Sequence, residues 1–306
     1  MRIGINGSSL IAIGAPLSQL VDHAAEAEAA GFSSYWVAQL GAPDALTAIA
    51  TMGARTSTIE IGTAVVPTWP RHPLMLAGQA LTVQDAIGDR LVLGIGLAHK
   101  SSVESTLRIP FSTPAKHMAE YLDVLLPVLS ERKVSSHGSI WSAEVESLGG
   151  GPAPAPRVML AAMGPRMLQL AGARTDGVIL WLSGPKAIAN QIKPPLEAAA
   201  AEAGRPSPRV VASVPVCVTK DRDRVRGIVA SVLAGYNDLP SYRGVMDTEG
   251  AGGPADVSLI GDEAEVRAGL DAFADAGTTD FSALEFFTDA DEAAATRSLL
   301  AELAGQ

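Results

Sequence analysis

The sequence predicts a (β/α)8 TIM barrel with insertion segments, formed by one domain over residues 1–306. Short apolar segments rich in β-branched residues alternate along the chain with longer segments of helical period. Such alternation is typical of a parallel sheet covered by helices. Eight of these apolar segments can be counted, the number that closes a barrel. Several helical segments also end in Ala-Gly shortly before the next strand, where glycine suits a left-handed C-cap. An open, doubly wound sheet is the alternative.

The eight predicted strands are short and separated by amphipathic segments. Helical spacing is clearest at Leu17, Leu20, Val21 and Ala24, which follow the i, i+3, i+4, i+7 rule. Thr113-Pro114 has the form of an N-cap followed by proline at the first helical position. In chain order, the strands are predicted at Arg2–Asn6, Ser34–Val37, Ile59–Val65, Leu91–Ile95, Arg157–Ala161, Gly177–Trp181, Arg209–Val218 and Asp280–Phe286.

Two segments interrupt the alternation and are interpreted as insertions beside one barrel. Residues 131–156 contain a hairpin-like stretch and a linker rich in glycine, proline and alanine. Residues 237–257 are turn-rich and show no helical period. Because structureless loops of this length are uncommon in compact domains, each is expected to be either functional or disordered.

Composition excludes several classes of protein. The formal net charge is −10, so the totals do not suggest the basic face that a nucleic-acid-binding protein needs. The one cysteine, Cys217, lies in an apolar run and can form no disulfide within the chain, which is typical of a reducing cytosol. No signal peptide and no uncharged apolar stretch of about 18 residues is present. We therefore expect a cytoplasmic protein without a membrane partner.

In a barrel of this class, the active site lies at the carboxyl ends of the strands. These positions are rich in small residues and hold no carboxylate pair, no metal-ligand spacing and no nucleophile elbow. His99 directly follows the fourth strand and is the candidate catalytic side chain. Gly94 and Gly96 begin an incomplete dinucleotide-binding fingerprint, which either allows a flat ligand to approach or permits tight strand–helix packing.

The stretch "AAMGPRML", residues 161–168, predicts a strand, a glycine turn and a helix start. Gly164 would let a ligand approach the free amides of the first helical turn, where the helix dipole favours an anion. Arg166 lies in that turn, where the dipole disfavours a cation, so a bound phosphate would explain its position. A solvated arginine is the alternative.

The stretch "GTAVVPTWPRHP", residues 62–73, ends a buried strand abruptly with three prolines. Together with "AGFSSYWVAQ" and "RVMLAAMGPRMLQLAGARTDGVIL", it resembles the luciferase-like monooxygenase superfamily, and most closely its branch that uses the deazaflavin coenzyme F420. The resemblance covers most of residues 1–182. It implies a barrel that binds a flavin-type ring at the strand ends, with a bulge and a cis peptide at Ala64–Val65 behind that ring.

The resemblance also implies roles for individual residues. Trp69 would line the substrate pocket. The expected cofactor-binding residues are Gln39, Ala64, Val65, Leu97, Ala98, Ser102, Met163, Gly164, Arg166 and Met167. Because F420 carries an acidic tail, Arg71, Lys100, Arg108 and Arg166 are candidates for a basic entrance.

Two positions depart from the sugar-phosphate dehydrogenases of that branch. Leu40 and His99 stand where those enzymes carry a catalytic histidine and a glutamate, which argues against sugar-phosphate oxidation. The favoured function is F420-dependent hydride transfer to or from a small, mostly apolar organic substrate. The alternatives are a monooxygenase that uses reduced FMN and a non-catalytic flavin-binding barrel. No metal is expected, and the resemblance suggests a homodimer.

Overall fold

A closed, eight-stranded parallel barrel forms the centre of the molecule in the computed structural model, which describes residues 1–305. The barrel strands pair in the order β1-β2-β3-β5-β8-β9-β10-β13, and β13 pairs again with β1. The strands are β1 Arg2–Asn6, β2 Ser34–Val37, β3 Glu60–Thr63, β4 Val66–Pro67, β5 Leu91–Gly96, β6 Val134–His137, β7 Ser142–Val145, β8 Arg157–Ala161, β9 Gly177–Trp181, β10 Arg209–Ser213, β11 Pro215–Val218, β12 Leu259–Gly261 and β13 Asp280–Glu285.

Helices surround the barrel and pack their apolar faces on its outer wall. Several begin with an aspartate N-cap, such as Asp44, Asp262 and Asp289, which accepts a hydrogen bond from the first turn. No helix within residues 1–305 combines the length and the apolar character needed to cross a membrane. The helices are α1 Ser8–Ala12, α2 Leu17–Ala29, α3 Ala45–Gly53, α4 Pro73–Ala86, α5 Lys100–Ser105, α6 Pro114–Glu131, α7 Pro165–Arg174, α8 Pro185–Ala187, α9 Lys193–Glu202, α10 Arg222–Val232, α11 Pro240–Glu249, α12 Pro254–Val257, α13 Glu263–Asp275 and α14 Ala290–Ala304. A short π-helix lies at Ile188–Ile192 and a 3₁₀ helix at Ala234–Asp238.

The predicted barrel and its eight strands are confirmed, with adjustments at two of them. The third strand ends at Thr63, and the Ala64–Val65 peptide bond is cis before the chain resumes pairing in β4. The predicted strand Arg209–Val218 is interrupted at Val214. Its second half, β11, pairs with β12, a strand that was not predicted.

The two insertions differ in how well they were predicted. The expected hairpin in 131–156 is confirmed as the antiparallel pair β6–β7. The expectation that 237–257 lacks helices is wrong, because α11 and α12 lie within it. Pro240 occupies the first turn of α11, and Gly250 ends it with a positive φ of 79°. These residues were interpreted as turn markers, whereas they are helix boundary residues.

A cluster of charged side chains closes the amino-terminal end of the barrel. Arg209 contacts Glu60 at 2.7 Å and Asp280 at 2.8 Å, and Arg2 pairs with the same two carboxylates. Arg157 adds a contact to Glu60 at 3.0 Å. Burial raises the pKa of Glu60, and Arg2 opposes that rise. The site must therefore lie at the opposite, carboxyl end.

Asp280→Asn should destabilise the protein because it leaves Arg209 and Arg2 with one carboxylate at a buried position. We expect a loss of about 3 kcal/mol in the free energy of unfolding, measured by urea denaturation. Glu197→Gln, which breaks the exposed 3.6 Å pair with Lys193, is the control and should cost roughly 0.5 kcal/mol or less. Equal losses in both variants would contradict this account of the cluster.

Candidate functional site

The carboxyl end of the barrel is open and lined on one side by small residues. Trp36 and the side chains around it pack in the barrel interior. Because side chains alternate along a strand, the residues two positions further along these strands also point inward. Ala38, Ala64 and Ala161 occupy such positions and are only half-buried, although the strands below them are buried. At Gly96, an added Cβ would lie 2.7 Å from Val65, so packing against that residue requires glycine here. The three alanines, whose side chains are single methyl groups, leave this side of the opening lined by little more than backbone.

Opposite these small residues, polar side chains of β1 and β10 form the floor of the opening. The Asn6 amide donates to Ser213 Oγ at 3.0 Å, and Ser213 Oγ donates to the carbonyl of Ser282 at 2.6 Å. Asn6 Oδ1 accepts from the amide of Ser8 at 3.0 Å. These bonds tie β1, β10 and β13 together directly below the opening. Sequence reasoning missed both Asn6 and Ser213, although their inward position follows from the two-residue period of β1 and β10.

Two helices direct their amino termini into one cavity of about 450 Å³ beside the opening. Pro114 and Pro165 begin α6 and α7, and neither helix has a side-chain N-cap among the described residues. The free amides of both first turns therefore remain available to an anion. Lining the cavity are Leu97, Thr113, Pro114, Ala115, Lys116, Gly164, Pro165, Arg166 and Met167. We call this set the anion cradle.

Charge and space in the anion cradle both favour a phosphate-sized ligand. Lys116 and Arg166 are exposed cations in the first turns of α6 and α7, where their charges oppose the helix dipoles. Nothing lies within 4 Å of the position of a Cβ at Gly164, and its φ of −88° suits any residue. The backbone is therefore open to a ligand at this glycine. Four predicted residues, Leu97, Gly164, Arg166 and Met167, are brought together here.

Gln39 is placed at the opening, but its side chain is largely occupied. Its Nε2 donates to the carbonyl of Gly41 at 2.7 Å, and its Oε1 accepts from the amide of Ala45 at 2.8 Å. Arg71 also donates to Oε1 at 3.3 Å and pairs with Asp44. Although burial raises the pKa of Asp44, hydrogen bonds from Thr47 and Arg71 hold it below the usual value. Gln39 thus shapes the loop after β2, and contact with a cofactor stays a prediction.

Trp69 lies in an aromatic cluster between the loop after β4 and helix α6. Its ring stacks on that of His117, with centroids 3.7 Å apart, and contacts Phe111 at 5.1 Å. Trp69 is 8% exposed, and its indole Nε1 is buried without a hydrogen-bond partner in the described part of the chain. The expected role in a substrate pocket stays a prediction, but a buried unpaired donor beside the opening favours a ligand there.

His117 is fully buried and held as the neutral imidazole. The Trp141 indole donates to Nδ1 at 3.3 Å, so the hydrogen on Nε2 faces Thr68 Oγ1 at 2.9 Å. Thr68 Oγ1 donates in turn to the carbonyl of Gly96 at 3.3 Å. Burial lowers the pKa of His117 to about 4, against the opposing effect of Glu120. This chain of hydrogen bonds fixes the end of β5 against α6.

His99 ends the loop after β5, where it is the N-cap residue of α5, and its ring faces two tyrosines. Its ring contacts Tyr242 at 5.6 Å and Tyr236 at 5.9 Å, both edge-on. Burial lowers the pKa of His99, so the imidazole is neutral at neutral pH. Tyr236 also contacts Trp181, which ends β9. Sequence reasoning found His99 but missed the two tyrosines around it, because no motif links the region of residues 236–242 to β5.

The remaining predicted cofactor residues are spread around the opening. Ala64 and Val65 pack together on the interior cluster of Trp36. Met163 packs beside Trp181, and Ser183 Oγ lies 3.6 Å from its sulfur. Ala98 has a positive φ of 56°, a conformation that costs about 1 kcal/mol for alanine. Ser102 lies exposed on α5 and is not part of the anion cradle. No group of three or more potential metal ligands occurs within residues 1–305.

Comparison with known proteins agrees with this geometry. The profile of the luciferase-like monooxygenase family matches residues 3–280. A 5,10-methylenetetrahydromethanopterin reductase of Archaeoglobus fulgidus is 31% identical over 68% of this chain and 64% of its own length. An F420-dependent glucose-6-phosphate dehydrogenase of Kribbella flavida is 28% identical over 67% of this chain and 65% of its own length. The chain thus spans just under two thirds of each of these relatives.

Solved structures share the fold over nearly the whole chain. The coenzyme F420-dependent tetrahydromethanopterin reductase of Methanopyrus kandleri superimposes with a TM-score of 0.82. The alignment covers 98% of this chain and 97% of that one, at 20% identity. At this identity, the likeness establishes the fold alone.

The neutral state of His117 should make stability depend on pH. Because its folded pKa of about 4 lies below the unfolded value near 6.5, stability is fully present above pH 6.5 and is lost as the pH falls toward 4. We expect this residue to account for about 2 kcal/mol between pH 7.5 and pH 5. In urea denaturation, His117→Gln should lose that part of the dependence. His137→Gln, at an exposed histidine, should retain it, and an unchanged His117→Gln profile would refute the assignment.

Proposed function

The chain belongs to the luciferase-like monooxygenase family, and from this membership we propose that it is an oxidoreductase that uses coenzyme F420 for hydride transfer. The proposal covers a small, mostly apolar organic substrate. It includes a cytoplasmic location, favoured by the single cysteine, and a homodimer, as the family resemblance suggests. The relatives named above include an F420-dependent dehydrogenase, which supports this cofactor over FMN.

The anion cradle is the observation that carries the proposal. F420 bears a phosphodiester and an acidic tail, so it needs free amides and cations at one end of its site. Two uncapped helix amino termini with Lys116 and Arg166 supply them around a cavity of about 450 Å³. The half-buried alanines at the strand ends leave space for the ring, and the unpaired Trp69 Nε1 offers a donor beside it. The residues present therefore fit the cofactor.

Each part of the site has a separable task in this proposal. When bound, F420 supplies the hydride chemistry. The first turns of α6 and α7 would hold its anionic groups. Ala64, Val65, Gly96 and Ala161 would leave one face of the ring against the barrel wall. The aromatic residues at the other side would exclude water from the reacting face.

The acidic side chains beside the opening are already paired with arginines. Asp44, the N-cap of α3, is paired with Arg71. Glu285 at the end of β13 is paired with Arg297. Leu40 is 60% exposed on the loop after β2. These features favour an apolar substrate, and His99 is the residue that sequence reasoning proposed for proton transfer to it.

A titration of the purified protein with F420 and, separately, with FMN tests the cofactor assignment. We expect the fluorescence of F420 to report a dissociation constant at least roughly tenfold lower than that for FMN, because the tail adds contacts to Lys116 and Arg166. Raising the salt concentration should weaken F420 binding. Preferential binding of FMN would favour the monooxygenase alternative, and binding of neither would refute the site.

Gly164→Ala tests the anion cradle with little risk to the fold. The new methyl group meets no protein atom within 4 Å but occupies the space in front of the α7 amides. Affinity for F420 should fall roughly tenfold or more. Gly227→Ala, on the exposed face of α10, is the matched control and should leave binding unchanged while stabilising the helix by about 1 kcal/mol. Equal affinities of the two variants would contradict the assignment.

A further inference from the structure

Tyr236 brings a hydroxyl group to the open end of the barrel from outside the eight strands. It lies in the 3₁₀ helix Ala234–Asp238, with its ring 6.3 Å from that of Trp181 and 5.9 Å from that of His99. Trp181 faces inward, because Ile179, two residues earlier on β9, packs in the barrel interior. Tyr236 therefore extends from the end of β9 to the end of β5, across the end of β8.

The two tyrosines of this region occupy different environments. Tyr242 is 9% exposed and packs with Leu182 and Met246 in the apolar cluster beneath the insertion. The ring centroid of Tyr236 lies 4.8 Å from that of Tyr242. Tyr236 is half-buried, and its ring contacts that of Trp181. Among the described residues, no acceptor takes a hydrogen bond from the Tyr236 hydroxyl. Its hydrogen is thus available to a ligand in the opening.

Other proton donors near the opening are poorly suited to the task. The carboxylate of Asp44 is held ionised by Arg71, and that of Glu285 by Arg297 and His23. His99 is neutral, and its side chain makes ring contacts but no hydrogen bond within residues 1–305. A neutral imidazole is a weak acid. A substrate that accepts hydride here must obtain its proton elsewhere, and Tyr236, against Trp181 and His99, brings a hydroxyl group to the strand ends.

We propose that Tyr236 is a catalytic residue that hydrogen-bonds the carbonyl oxygen of an α,β-unsaturated ketone or aldehyde and then protonates it. This proposal rests on the function proposed above. Hydride from the reduced deazaflavin forms a bond to the β-carbon, and the carbon–carbon π electrons shift to give an enolate. The Tyr236 O–H bond breaks as its proton passes to the enolate oxygen. The enol then becomes the saturated carbonyl compound. Tyr236 regains a proton from water, and the cofactor, which would be left oxidised, would return one proton to water, so that one hydride and one proton are transferred in total.

The surroundings of Tyr236 agree with this role. Burial raises its pKa, so the hydroxyl remains protonated at neutral pH. The Trp181 indole N–H makes no hydrogen bond of standard geometry, yet it partly lowers the same pKa by favouring the phenolate. The aromatic rings of Trp181 and Tyr236 also form an apolar wall, which matches a neutral enone better than a charged substrate.

Tyr236→Phe, compared with Tyr242→Phe, tests the assignment with cyclohex-2-enone and reduced F420. We expect kcat to fall roughly 10²- to 10⁴-fold in Tyr236→Phe, with KM and F420 affinity little changed. Tyr242→Phe removes a hydroxyl of the same kind from the apolar cluster and should stay within about threefold of the natural protein. Similar kcat values for both variants would overturn the proposal.

A second measurement does not depend on turnover. Here, 4-nitrophenolate serves as a stable mimic of the enolate, and its absorbance reports binding to the protein with and without F420. Tyr236→Phe should weaken binding roughly ten- to a hundredfold, the effect of losing a hydrogen bond to a charged oxygen, and Tyr242→Phe should not. Failure of the natural protein to bind 4-nitrophenolate, or equal binding by both variants, would overturn the proposal. Loss in Tyr236→Phe alone, in a protein that does not bind F420, would support the tyrosine and refute the cofactor assignment.

Discussion

The pairing of β13 with β1 is the constraint on which the rest of the structure depends. It joins Arg2 to Asp280 and Ile5 to Ala283 in register, and so turns a parallel sheet into a closed barrel. Closure gives the barrel two unlike ends. The amino-terminal end is filled by ion pairs among inward-facing charged residues, whereas the carboxyl end carries small and polar side chains. All loops that contribute to the candidate site therefore meet at one opening, however far apart they lie along the chain.

The anion cradle at this opening is positively charged, although the molecule as a whole carries a negative net charge. The chain carries a net charge of −10, yet the anion cradle combines two helix amino termini with Lys116 and Arg166. Local peptide dipoles, which do not enter a count of charged residues, supply much of this positive potential. A net negative charge on the whole molecule would disfavour large polyanions such as nucleic acids. The cavity of the anion cradle still admits a small anionic cofactor that reaches the amides.

The parts of the fold and site that sequence could predict are those encoded by local signals. Short apolar strands, the hairpin of 131–156 and the turn at Gly164 each depend on neighbouring residues, and each was found. The second half of the anion cradle was not, although Thr113-Pro114 was identified as a helix start. Whether two helix starts face one cavity is decided by packing, not by spacing. Likewise, Arg71 appeared free for a cofactor tail, whereas the structure pairs it with Asp44.

The aromatic residues that the sequence did not predict are connected with two unusual positions of the chain, Leu40 and His99. Leu40 and His99 replace the ionisable residues expected from related dehydrogenases, so the strand ends lack an acid of ordinary strength. A hydride transfer still leaves a charge that must be neutralised, and the group that does so must enter from elsewhere. The 3₁₀ helix Ala234–Asp238, which leads into the second insertion, supplies Tyr236 against His99 and Trp181. In the proposed function, a segment outside the barrel thus provides the proton donor, and helices α11 and α12 of the insertion anchor that tyrosine through the cluster of Leu182, Tyr242 and Met246.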